Sequence, residues 1–414
     1  MYEEKLRIKD GVLLPNRELE NLDIEEIRIP EGVTTIDSAF KNWKKLKSVY
    51  IPKSVTVIDL WAFKNCESLE TIVIPDSVTE IGDWAFENCR KLRNINLSDR
   101  VKKIGEGAFR GCKKLADKNG FVIIRNVLYG YYGKETSIVI PNGVTSISRE
   151  AFCRHRKFTN IMIPPSVTSL GIDVFAACSN LTSISLPVGV TTLPCGAFQN
   201  CKSLTEVHLP ANLEHIEESA FEGCESLTSI IIPDKVRYVG KWAFAGLKKL
   251  SSVIMSPNLK NFGLQAFAGC DALADEKGHV IFNGVFCTLT GKHKECIIPD
   301  GVHTIGNGAF ACHFHLRSVV IPNSVTAIEK DAFAFCEDIT EIHLPERVIS
   351  VGNETFCKCW RLKDVYFPSS IQQIGDRLFG QSNFIQPGNI RIHAPVGSYA
   401  EQYANENGFA FVVE

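Results

Sequence analysis

Fifteen cysteines and ten histidines in 414 residues are the side chains best suited to metal binding, redox exchange or nucleophilic chemistry. Nine of the cysteines stand three residues after a phenylalanine: Cys66, Cys89, Cys112, Cys178, Cys201, Cys224, Cys270, Cys336 and Cys359. Equal spacing puts them in one column, where parallel thiols are poorly aimed for pairing. Small apolar thiols suit a crowded interior, so a buried ladder is expected. Free thiols in such number favour a reducing or anaerobic setting. His155 and His313 take the cysteine's place twice, with Cys153, Cys312 and His315 nearby. No CxxC with a second half accompanies them, and Cys357 and Cys359 are one residue apart, facing opposite ways. Neither a metal nor a cofactor is expected. The acids Glu206, Glu341 and Asp364 occupy a repeating exposed position rather than a constellation with a unique His, Ser or Cys, which reads as a solvated face. Glycines such as Gly82, Gly105 and Gly240 recur once per unit, where a turn needs them, and form no phosphate loop. The chain is not expected to be an enzyme.

The elements that hold these columns come from a repeat. Fourteen phenylalanines, most in the dipeptide Ala-Phe, run from Phe40 to Phe109, Phe152 to Phe267 and Phe310 to Phe379 at steps of 23 residues. Eleven residues earlier stands a proline, as at Pro52, Pro187 and Pro233, with Ser98 and Ser256 replacing it twice. In the unit 181–203 (LTSISLPVGVTTLPCGAFQNCKS) the recurring residues Leu181, Ile184, Leu186, Val190, Leu193, Ala197, Phe198 and Cys201 are the expected buried set. Residues 183–186 alternate as a half-buried strand that the proline stops. Residues 190–193 are expected to form a second short strand or a turn, and 195–201 a single helical turn. One unit buries too little to fold alone, so the units must stack.

The 23-residue step breaks twice, after Phe109 and after Phe267, each time by 20 residues, and the two breaks lie 158 residues apart. Leu115, Asp117, Gly120, Val127, Gly133 and Lys134 recur across that offset as Leu273, Asp275, Gly278, Val285, Gly291 and Lys292. A duplicated block with one insert, near 117–136 and 275–294, accounts for this. The inserts are expected as an extra coil or hairpin, since both are rich in strand formers. Residues 1–22 are expected to cap the array 23–388, with 389–414 as a helix and last strand at the other end; residues 10–14 (DGVLL) match the core of the inserts.

Lys and Arg total 45 against 47 Asp and Glu, interspersed, which disfavours nucleic acid. Residues 1–10 hold no apolar stretch of the kind that opens a secretory signal, and no later stretch suits a membrane span.

The unit LxxIxIPxxVTxIGxxAFxxCxx, almost intact at 69–91, resembles the BspA-like class of leucine-rich repeats over nearly the whole chain. The resemblance implies a right-handed curved solenoid, mainly β with short helical turns and a parallel sheet on its concave side. It also implies a bacterial or protist protein of the surface-adhesion type, with protein or glycan ligands such as host matrix or cell surfaces. Location stays open between the surface, which the family suggests, and the cytoplasm, which the missing signal allows.

The concave column two residues before each proline position is Arg28, Tyr50, Val73, Asn96, Val139, Met162, Ser185, His208, Ile231, Ile254, Ile297, Val320, His343 and Tyr366. It varies where the core does not. Two readings fit: a tolerated surface of strand formers, or a ligand groove anchored by Tyr50, Met162, His208, His343 and Tyr366. Tyr129, Tyr131 and Tyr132 in the first insert have Cys287, Leu289 and Thr290 as counterparts. Recognition and packing of the insert would each explain that asymmetry. The leading expectation is a monomeric, non-catalytic binding protein of the adhesion type; the alternative is an intracellular interaction scaffold.

Overall fold

A computed structural model describes residues 3–20, 22–380 and 389–414. The chain divides into two compact units, Met1–Val190 and Thr191–Glu414, and each is a β-solenoid. The expected end of the array at residue 388 lies outside the described residues.

Most coils contribute two short strands, and equivalent strands pair in parallel one repeat apart. In the first unit Ser137–Val139, Asn160–Met162 and Ser183–Ser185 form one ladder, with Ile138, Ile161 and Ile184 in register. The second ladder consists of two-residue strands, Thr35–Ile36, Val57–Ile58, Glu80–Ile81 and Lys103–Ile104. The second unit repeats the scheme, with Ser229–Ile231 beside Ser252–Ile254 and Thr192–Leu193, His215–Ile216 and Tyr238–Val239 in order. The second short strand is therefore real. A proline-headed turn separates the two strands of a coil: Val190 N–H donates to the Pro187 carbonyl at 3.1 Å, and Val236 does the same to Pro233 at 3.0 Å.

Residues 195–201 differ from the expected helical turn. Gly196 and Asn200 have φ of 62° and 60°, so successive N–H groups point in alternate directions. Gln199 and Cys201 bond within the coil, to Gly196 and Phe198, whereas Phe198 and Asn200 donate to Ala220 and Glu222 of the next. This alternation stitches coils together without a sheet.

All eight core positions of the unit 181–203 are buried. The phenylalanines stack face to face: Phe40, Phe63, Phe86 and Phe109 at 5.2 to 5.4 Å, and Phe198, Phe221, Phe244 and Phe267 at 5.2 to 5.4 Å. The nine ladder cysteines are buried. The Cys66, Cys224 and Cys336 thiols donate to the carbonyls of Phe40, Phe198 and Phe310 one coil back, at 3.0 to 3.1 Å. Each of these carbonyls also accepts a backbone N–H within its own coil, from Trp43, Cys201 and His313, so the thiol adds a second bond that ties neighbouring coils together. Burial pushes Cys270 and Cys359 up to about 12, so these thiols stay protonated and inert.

The recurring glycines serve close approach rather than a turn. Gly82, Gly105 and Gly240 have no left-handed φ, but a Cβ on each would lie 2.7, 2.4 and 2.5 Å from backbone of the preceding coil.

Both inserts are antiparallel hairpins. Phe121–Ile124 returns as Val127–Tyr131, which pairs in parallel with Ser146–Ile147; His279–Phe282 returns as Val285–Leu289, which pairs with Thr304–Ile305. Each hairpin thus enters the second ladder as a partial coil. The N-terminal pair Arg7–Lys9 and Val12–Leu14 has the same form and joins Thr35–Ile36. At the other end the helix Tyr399–Asn407, capped by Ser398 and closed by Gly408 at φ 73°, precedes the strand Ala410–Val413, which pairs with Arg391–Ala394.

Candidate interaction surfaces

The strand ladders direct alternate side chains at solvent, and the column two residues before each proline position is one of those they expose. Tyr50, Val73, Val139 and Met162 in the first unit, and Ile231, Ile254, Ile297 and Val320 in the second, are all exposed. These are eight of the seventeen large apolar side chains that stand exposed among the described residues, so exposure concentrates on this column. Register places Ile231 beside Ile254 and Ile297 beside Val320.

The structure does not gather all the expected anchors. In the first unit Tyr50 lies under the Arg28 guanidinium at 4.0 Å, while Met162 belongs to a different ladder. In the second, the His208 ring faces Glu206 at 3.0 Å. His343 and Tyr366 do come together, their rings stacked at 3.9 Å and 7°.

Tyr366 also stacks on His393 at 4.2 Å, a residue outside the repeat spacing. Asp364 accepts two hydrogen bonds from Arg391, at 2.6 and 2.7 Å, and faces His393 Nε2 at 2.8 Å. His393 Nδ1 faces Glu414 at 3.3 Å. Glu206 and Glu341 lie on the solvated face as expected, but Asp364 departs from it: Asp364 is buried because the C-terminal strands cover it. The Arg391 guanidinium, then the His393 ring, hold its carboxyl at about 2. A folded pKa below the ordinary carboxylate value stabilises the cap at pH above about 4, and this is lost as pH falls towards 2. Asp364→Asn should therefore destabilise the protein near neutrality, with the gap to wild type closing by about pH 2. Parallel denaturant titrations across that range check this; a gap independent of pH would remove the assignment.

The insert tyrosines lie inward. Tyr129 is buried edge-on against Phe109 at 5.3 Å, and Tyr131 is buried between Phe121 and Phe152 at 4.9 and 5.8 Å. Tyr132 is half-buried, its hydroxyl accepting the Gly111 N–H at 3.0 Å. Packing of the hairpin accounts for all three. His155 and His313 are half-buried, with a ring nitrogen on the Gly133 and Phe310 carbonyls respectively, and burial lowers both pKa values.

The model of the BspA-type leucine-rich repeat region (6 copies) matches residues 14–121, 122–246, 171–277 and 279–402. The chain belongs to this BspA-type family. Among solved structures, a leucine-rich repeat protein from Bacteroides ovatus is 26% identical, covering 98% of this chain and 94% of its own, with a TM-score of 0.44. A leucine-rich cell surface protein from Faecalibacterium prausnitzii is 23% identical over 95% and 92%, TM-score 0.39. The pneumococcal vaccine antigen PcpA is 16% identical over 98% and 83%, TM-score 0.33. The search of curated proteins gave no match. BspA-type repeats are of the protein-interaction class and are typically non-catalytic. Among the described residues of this BspA-type chain, no helix is long and apolar enough to cross a membrane.

Proposed function

We propose that this chain is a non-catalytic binding protein of the adhesion type, holding a protein or glycan through its strand face. The exposed column supports this reading. Paired isoleucines and valines such as Ile231 with Ile254, and Ile297 with Val320, leave apolar area in water along a surface that solenoids use for ligands. Tyr50 and Met162 in the first unit, and His208 and the His343–Tyr366 stack in the second, supply the polar and aromatic anchors along it.

A screen of the purified protein against matrix proteins, host-cell surfaces and a glycan array tests this. The variant Ile231→Glu with Ile254→Glu should weaken a bound ligand by at least about tenfold. The melting temperature should barely move, because exposed substitutions cost within about 0.5 kcal/mol each. Unchanged binding in that variant and in Ile297→Glu with Val320→Glu would take the site off this face.

A second reading has its own observation. Among the described residues no two cysteines are joined in a disulfide, as suits a reducing compartment and an intracellular scaffold. Cell fractionation separates the two: recovery at the surface supports adhesion, and recovery in the cytosol with only cytosolic partners supports the scaffold.

A further inference from the structure

The two hairpins share a backbone frame but not its filling. Tyr132 N–H donates to Gly120 and Thr290 N–H to Gly278, both at 2.7 Å; Tyr131 N–H reaches Ala151 at 3.2 Å and Leu289 N–H reaches Ala309 at 3.1 Å. In each unit the hairpin interrupts the stitching between turns, and a notch opens beside the glycine that precedes the ladder cysteine, Gly111 or Gly269.

In the first unit this notch is plugged. The Tyr132 ring fills it, with its hydroxyl on the Gly111 N–H and the Lys113 ammonium 5.8 Å from the ring centre. Arg110 spans the opening to reach Glu87 and Glu150. In the second unit every one of these side chains is smaller or changed: Thr290 stands for Tyr132, Ala268 for Arg110, Asp271 for Lys113 and Gly308 for Glu150. The Thr290 hydroxyl turns away to the Gly278 carbonyl at 3.3 Å. What remains is a cleft of about 500 Å³ lined by Gly269, Asp271, Thr290, His293, His313 and Phe314. The Gly269 N–H, counterpart of the one that Tyr132 caps, has no acceptor among the described residues.

We infer that the notch of the second unit binds a tyrosine side chain presented by a partner polypeptide. Its phenol oxygen accepts the Gly269 N–H, and its ring lies against His293 and Phe314. The first unit shows that a phenol ring satisfies this frame. Thr288 replaces Gly130, whose missing Cβ leaves the Tyr132 ring its room, so the guest ring sits farther out than Tyr132 does. This site is separate from the strand face, and neither reading depends on the other.

The full chain, labelled with 15N, is titrated with N-acetyl-tyrosinamide, N-acetyl-phenylalaninamide, p-cresol and a short peptide centred on tyrosine. The Gly269 amide resonance should shift with the peptide and with N-acetyl-tyrosinamide. The phenylalanine analogue should bind roughly threefold to tenfold more weakly, as loss of one hydrogen bond implies. Thr288→Gly with Thr290→Tyr, which rebuilds the first unit's plug, should abolish the shift. Ala268→Arg, a change on the rim that spares the core, should also abolish it and covers the case in which the double variant misfolds. An immobile Gly269 resonance, equal binding of both amino-acid probes, or binding that survives Ala268→Arg overturns the assignment. Binding of p-cresol without binding of the peptide overturns the polypeptide as its source.

Discussion

Phe244→Ala lowers the unfolding free energy by about 3 to 5 kcal/mol, the range for emptying a fully buried aromatic site. Phe244 is fully buried and stacks on Phe221 at 5.3 Å and on Phe267 at 5.2 Å, so its removal breaks two ring contacts as well as leaving a cavity. Collapse into the cavity is resisted because this coil is tied to both neighbours by backbone bonds, Phe221 N–H to Ala243 and Phe244 N–H to Ala266, both at 2.8 Å. A solenoid transmits stability only between neighbours, so one weakened coil also uncouples the coils on either side. Urea denaturation followed by circular dichroism should show an earlier and broader transition. A loss below about 1 kcal/mol would mean that the ring column is not the axis of the core.

Gly240→Ala has a comparable effect for a different reason. The alanine Cβ would stand 2.5 Å from the Glu217 carbonyl carbon and the Glu218 nitrogen, which are backbone atoms and cannot swing aside. Relief requires separating two coils held by the Gly240 N–H to Ile216 bond at 2.7 Å, a cost of about 3 kcal/mol or more at the upper end of overpacking. Gly301→Ala is the control. Gly301 has φ of 89° with no atom within 4 Å of its missing Cβ, so only backbone strain of about 1 to 2 kcal/mol applies. Melting curves of the two variants should therefore rank Gly240→Ala well below Gly301→Ala. The reverse order would show that φ rather than contact selects glycine in this column.

Much of the architecture was legible because each coil meets its neighbours through the same contacts, translated by one repeat. A position that is buried once is buried in every unit, so Leu181, Val190 and Phe198 announce themselves by recurrence, as do the ladder cysteines. The inserts were legible as hairpins through their strand formers and their 158-residue echo, and residues 10–14 by their likeness to the inserts. The turn run at 195–201 was misread as helical although its left-handed position is marked in the repeat by Asn or Gly, as at Asn65, Asn88, Asn200 and Gly223. The close approach at Gly240 looked like turn chemistry because contact between coils is invisible along one chain.

What recurrence determined, then, is the core, the first ladder and the exposed column, while the second ladder, read as a strand or a turn, was decided by the pairing in the structure. What tertiary structure decided lies where recurrence stops. Asp364 belongs by spacing to a solvated row, yet Arg391 and His393, 27 and 29 residues on, cover it and hold it charged. Tyr129 and Tyr131 mark an asymmetry between copies that only packing resolves, since rings buried against Phe109 and Phe152 cannot greet a partner. The second notch exists because Thr290 and Ala268 withdraw side chains that the first unit extends into the same frame. Contacts between equivalent positions are written into the repeat. Contacts between inequivalent ones, at a break or a cap, depend on which distant residues the fold brings within a few ångströms, and no periodicity carries that information.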